Sequence, residues 1–152
     1  MRSHARPRSR RLILVSLGLN AVTATDTELI RAIKRRDLPE VERLIHAGAN
    51  LNCSDTQDWT PLFHAAGTGR TDIMRLLLVN GAEVDSHREQ GFTPLFSAIL
   101  SHRLEAIRLL LDAGASPDAP EGDPLLRHVP RDWKHRDEAI TLLRRDHATP
   151  KA

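Results

Sequence analysis

Two stretches of the chain carry apolar residues at helical spacing. Met74, Leu77 and Leu78 fall at i, i+3 and i+4, and Ile107, Leu110 and Leu111 repeat the arrangement. Each set shares one face of a helix and leaves the opposite face polar. An acid opens both segments, Asp72 and Glu105, where it complements the helix dipole. A glycine closes both, Gly81 and Gly114, and can take the left-handed conformation that ends a helix. A shorter apolar segment precedes each one and begins with Thr-Pro: Thr60-Pro61-Leu62-Phe63 and Thr93-Pro94-Leu95-Phe96. Thr suits the N-cap, and Pro suits the first helical position, where its missing N–H costs nothing. Ala65 and Ala66 let one helix lie close to the next, and Gly69 stops the first of these segments. Polar stretches with hairpin-turn composition, Asn52 to Trp59 and Asp85 to Phe92, separate the helix pairs.

These elements recur with a shift of 33. Gly48-Ala49, Gly81-Ala82 and Gly114-Ala115 fall in register, and His147-Ala148 continues the series. The Thr-Pro-Leu-Phe segments superimpose at the same shift, as do Asp72, Glu105 and Glu138. Such self-similarity predicts a repeat architecture, in which no unit can bury its own apolar face and stability comes from stacking. The end units are degenerate, as caps should be. At the front, Thr25-Asp26-Thr27-Glu28 predicts a capping box formed by Thr25 and Glu28. Leu29, Ile30, Ile33, Val41, Leu44 and Ile45 supply its apolar faces, while Arg31, Lys34 and Arg35 should look to water. At the back, the hairpin before Pro124 is shortened and Arg131 to Arg136 lengthened by the same amount. Glu138-Ala139-Ile140 thus returns to register, and Arg144 and Arg145 solvate the outer end.

Helix, turn, helix and hairpin at this period, with Thr-Pro-Leu and Gly-Ala at these positions, resemble the ankyrin-repeat family over roughly residues 26–148. The implied fold is all-α: a solenoid of helix-turn-helix units joined by short β-hairpin-like fingers. Four units are expected, at about 25–55, 56–88, 89–121 and 122–148, with a leader at 1–24 and a tail at 149–152. The family carries His after Thr-Pro-Leu, whereas this chain has Phe63 and Phe96. That removes the family's histidine hydrogen bonds and offers apolar packing instead. The resemblance further implies that the concave face of fingers and first helices grips a partner protein. Carried onto this chain, the finger positions are Ser54, Thr56, Gln57 and Trp59, then His87, Glu89, Gln90 and Phe92. Thr68, Leu100 and Ser101 are the neighbouring first-helix positions. Trp59 and Phe92 lie one repeat apart in a chain with five Phe and Trp in all, and they read either as binding anchors or as rings that stiffen the adjacent finger. Asp58 stands where the family usually has Gly and tolerates the turn conformation better than most residues.

Charge changes the picture at the N-terminus. The 22 Lys and Arg include five Arg in residues 1–25, which leaves 17 against 20 Asp and Glu and a net charge of −3 for the rest. A mildly acidic body offers no footprint for nucleic acid. Residues 1–24 combine an Arg-rich start, the apolar run Leu12 to Leu19 and a small polar segment ending in Ala24. This is the layout of a bacterial secretory signal cut after Ala24, and it predicts an exported, periplasmic protein. The alternative is a basic tail on a cytoplasmic chain. The run is too short to span a membrane.

Catalytic chemistry is thin. One cysteine, Cys53, excludes an internal disulfide and reads as a small packed side chain. His64 is expected to be half-buried and hydrogen-bonded. No phosphate loop or serine elbow is present, so no enzyme activity and no cofactor are expected. His128, Asp132, His135 and Asp137 form the alternative, a small metal site in the last unit, although they lack a familiar ligand spacing. The expected partner is another protein, and caps at both ends predict a monomer.

Overall fold

The computed structural model describes residues 23–86, 92–117 and 125–145. The chain forms α1 (Ala24–Arg35), α2 (Leu38–His46), α3 (Pro61–Thr68), α4 (Thr71–Val79), α5 (Pro94–Leu100), α6 (Leu104–Asp112), a 3-10 turn (Leu125–His128) and α7 (Arg136–Arg145). Consecutive helices pair, and the pairs stack. The first helices α1, α3 and α5 and the 3-10 turn form an inner row; α2, α4, α6 and α7 form an outer row. The architecture is therefore the expected all-α solenoid, with no strand among the described residues.

The Gly-Ala series has a specific mechanical role. Gly48, Gly81 and Gly114 sit at φ +82°, +96° and +91°, a region costly for other residues. Each turns the chain so that the amide of the following Ala49, Ala82 or Ala115 donates to the carbonyl of Leu44, Leu77 or Leu110 at 2.9–3.1 Å. The three alanines are themselves buried. A second left-handed series ends the inner helices at Arg36, Gly69 and His102, again 33 apart, with φ +62°, +70° and +57°. Only one of these three is glycine.

Neighbouring units are tied by bonds that also repeat. The Asn52 side chain accepts from the Glu83 amide at 2.9 Å, and the Asp85 carboxylate accepts from the Ser116 amide at 3.0 Å. Arg70 donates to the Arg36 carbonyl at 3.1 Å and Arg103 to the Gly67 carbonyl at 3.2 Å, so an arginine caps the inner helix of the preceding unit. Leu62, Ile73, Met74, Leu77, Leu95, Ile99, Ile107 and Leu110 are buried in one continuous core. Burial of each such side chain contributes about 1.5–3 kcal/mol. Gly67 marks the closest approach of α3 and α5: a Cβ there would lie 2.8 Å from Ser97 Oγ.

Both end units depart from expectation in detail. The capping box of α1 is made by Thr23 and Asp26, not by Thr25 and Glu28. Asp26 Oδ2 accepts from the Thr23 amide at 2.9 Å, and Thr23 Oγ1 accepts from the Asp26 amide at 3.2 Å. Asp26 Oδ1 also takes the Asn50 amide at 2.7 Å. That bond to the next connection requires Asp26 to turn inward, where it is 2% exposed, and this fixes the box two residues earlier. Glu28 instead pairs with Arg31 at 2.6 Å. In the last unit the inner helix is only a four-residue 3-10 turn. Leu125 within it and Val129 just after it are still buried in the core.

Candidate partner-binding face

The first finger is organised by Asp55, a residue that sequence reasoning passed over. Its amide donates to the Trp59 carbonyl at 3.0 Å and closes the hairpin-like turn. Its Oδ1 accepts from the amides of Gln57 at 2.9 Å and Trp59 at 3.1 Å. Asp58 takes φ +66° within this turn, as its conformational tolerance implies. Oδ2 accepts from Lys34 Nζ of α1 at 3.2 Å and from His64 Nε2 of α3 at 2.9 Å. A carboxylate is an acceptor only, so the His64 proton resides on Nε2. One carboxylate thus joins the finger to the inner helices on either side of it.

The electrostatics follow from this arrangement. Burial pushes the Asp55 carboxyl up, but hydrogen bonds from His64, the two amides and Lys34 outweigh it and leave it below the usual carboxylate value. Burial lowers His64 below the ordinary imidazole value of 6.5, against the opposing pull of Asp55. His64 is therefore neutral at physiological pH and serves as a bracket. Its half-buried, hydrogen-bonded state matches the sequence expectation.

Trp59 and Phe92 resolve into a repeated device. Trp59 stacks on Phe63 with centroids 4.9 Å apart and planes at 24°; Phe92 stacks on Phe96 at 4.9 Å and 22°. The Phe that replaces the family histidine is the platform for the aromatic residue before Thr-Pro. Both rings thus pack on the inner helix of their own unit. They are not fully covered: Trp59 is half-buried and Phe92 is 38% exposed. Leu100, one turn beyond Phe96 on the same face of α5, is 50% exposed. Phe96 also meets the His128 ring edge-on at 5.1 Å, which carries the aromatic row into the last unit.

Ser54, Thr56 and Gln57 line a groove of about 530 Å³ between the first finger and α1. Its opposite wall is Thr27, Ile30, Arg31 and Lys34, at i, i+3, i+4 and i+7 on one helical face, and sequence reasoning had assigned Arg31 and Lys34 only to solvent. Thr68 donates its hydroxyl to the Ala65 carbonyl at 3.0 Å, and Ser101 is half-buried beyond the end of α5. His87, Glu89 and Gln90 lie outside the described residues. Cys53 is buried, with its Sγ 4.0 Å from the Asp26 carbonyl, as a small packed side chain should be.

The four residues of the metal alternative are not brought together. Among the described residues no three His, Cys, Asp or Glu side chains form a group that could hold a metal ion. His128 is drawn to the inner row by Phe96, and His135 lies 3.7 Å from Glu138. Asp132 and Asp137 are exposed, the latter in the first turn of α7, where an acid complements the dipole. No described helix is long and apolar enough to cross a membrane.

A profile of ankyrin repeats in three copies matches residues 29–121. The chain is also 44% identical over 61 residues to the 2-5A-dependent ribonuclease of Mus musculus, a match covering 40% of this chain and 8% of that protein. It is 37% identical over 67 residues to the Homo sapiens 2-5A-dependent ribonuclease, covering 43% and 9%. With Homo sapiens diacylglycerol kinase zeta it shares 41% over 63 residues, covering 41% and 7%. The chain thus spans less than a tenth of the length of these relatives.

Proposed function

Because the chain belongs to the ankyrin-repeat family, whose repeats are in general protein-interaction modules, we propose that it binds a partner protein along its inner face and has no catalytic role of its own. One observation carries the reading. Phe92 and Leu100, two of the three large apolar side chains left exposed among the described residues, lie on one face of the inner row. Phe92 stacks on Phe96 and Leu100 follows one helical turn beyond it, and exposed apolar side chains grouped in this way are the surface a partner covers. Ser54, Thr56 and Gln57 on the first finger and Thr68 and Ser101 near the helix ends are the polar positions of the same reading. Enzymatic activity in the relatives belongs to much longer proteins and does not bear on this strip.

The leader supports a location outside the cytoplasm, with cleavage after Ala24. Such a cut removes Thr23 and half of the capping box, so the mature chain would enter α1 uncapped. The decisive experiment is capture from the native organism with tagged full-length protein, compared with the Phe92→Ser/Leu100→Ser variant, with the N-terminus read by mass spectrometry. A protein retained by the wild type and lost by a folded variant supports the reading. Equal retention by both overturns it. A chain beginning at Thr25 supports export, and an intact Met1 contradicts it.

A further inference from the structure

Basic residues are concentrated at the end of the first inner helix. Outside the leader the chain is net acidic, with 17 basic and 20 acidic residues, yet Arg31, Lys34, Arg35 and Arg36 fall within six positions of one another with no acid among them. All four are exposed. Arg31, Lys34 and Arg35 lie at i, i+3 and i+4, and Arg31 and Lys34 form one wall of the 530 Å³ groove.

The groove's one carboxylate is already committed. Asp55 accepts from two amides, from Lys34 and from His64, so it offers little to a ligand. The remaining groups are donors or can act as donors: the Arg31 guanidinium, the Lys34 ammonium, the Gln57 amide and the hydroxyls of Ser54 and Thr56. Arg31 meets Glu28, but that pair is solvent-exposed and holds the arginine only weakly. Lys34 has two further ammonium protons beyond its bond to Asp55, and Arg35 and Arg36 are exposed at the same end of α1, so the donor set selects an anionic occupant. Two inner helices further along, the exposed groups are Phe92 and Leu100, which select an apolar one.

Resting on the partner-binding reading above, we propose that the partner segment is a peptide with Asp or Glu side chains seated in the α1–finger groove and a large apolar side chain set on Phe92 and Leu100. Two helix-to-helix spacings of about 8–10 Å separate the two sites. An extended peptide rises about 3.3 Å per residue, so the acids and the apolar anchor stand about five or six residues apart. The acids and the apolar anchor together fix the direction in which the segment lies, because the groove and the Phe92/Leu100 pair stand at different places along the face.

The test is selection of a random dodecapeptide display library on the immobilised full chain, followed by anisotropy titrations of the enriched peptides. The expected peptides carry an acidic pair five or six residues from Leu, Phe or Trp. Their affinity should fall at least tenfold on Arg31→Glu, and also when their acids are changed to Lys. Enriched peptides that lack acids, or that ignore Arg31→Glu yet are lost on Phe92→Ser/Leu100→Ser, overturn the acidic motif and leave the partner-binding face standing. Peptides indifferent to all three substitutions, or no enrichment at all, count against the face itself. If 10 mM inorganic phosphate displaces the peptide as well as a poly-glutamate dodecamer does, the groove is a general anion site and the peptide proposal fails. Circular dichroism on each variant confirms the fold.

Discussion

The second and third units, Thr60 to Gly81 and Thr93 to Gly114, share a scaffold and differ in what they show to solvent. Thr60 and Thr93 cap their helices through the Phe63 and Phe96 amides at 3.3 and 3.2 Å, and each platform Phe carries one stacked ring. Leu62 and Leu95 are equally buried. The inner-helix positions that follow diverge. His64 brackets Asp55, but the residue 33 beyond Asp55 is Arg88, so no such bracket can recur and Ser97 is simply buried. Gly67 is held small by α5, whereas its counterpart Leu100 is exposed. The two helices differ in their neighbour: α3 faces a full helix, while α5 faces a four-residue turn, and Leu100 is the exposed residue of its last turn. Identical local sequence rules therefore yield different surfaces according to which unit stacks next.

The comparison can be broken most severely in the core. Leu62→Ala and Leu95→Ala should each cost about 2–5 kcal/mol in urea unfolding and agree within about 1 kcal/mol. A much smaller cost for Leu95 would mean that the shortened last unit leaves the third one loosely packed. Next come the stacked rings. Trp59→Ala should lower stability by about 1–2 kcal/mol, and Phe92→Ala by less because its ring is more exposed. Equal losses would show that exposure does not set the ring's contribution. The helix caps follow: Thr60→Ala and Thr93→Ala should each cost about 1 kcal/mol, and the two units become inequivalent if one proves silent.

The smallest effect is the pH dependence of the His64–Asp55 bracket. Both His64 and Asp55 have folded values below their unfolded ones, so both stabilise the fold at neutral pH and lose that contribution on acidification. His64's share fades as pH falls below about 6.5 toward its lower folded value, and Asp55's as pH falls below about 3.9. Thermal melts should therefore show a decline as pH falls below about 6.5 that His64→Gln flattens. An unchanged profile would mean that the bracket contributes nothing to the fold.

Much of this was legible because it is local. Thr-Pro, Gly-Ala and the i, i+3, i+4 apolar sets each describe a few consecutive residues whose backbone conformation decides the outcome. The capping box was misplaced for the opposite reason: Thr23/Asp26 and Thr25/Glu28 are both reasonable boxes, and the distant Asn50 amide chooses between them. The groove was half visible. Ser54, Thr56 and Gln57 were identified as finger positions, but Arg31 and Lys34 read as a solvated helix face until the finger folded opposite them.

The amino-acid sequence alone determined the repeat, its period, the helix ends and the all-α solenoid, since each depends on residue type at short range. It also determined that Phe63 and Phe96 would differ from the family pattern, though not what they would carry. Tertiary structure decided the rest. It made Asp55 the junction of α1, the finger and α3, set Trp59 and Phe92 on their platforms, and left Leu100 open beside the shortened last unit. Each of these depends on which side chains face one another across the stack, and that spacing is set by packing between units.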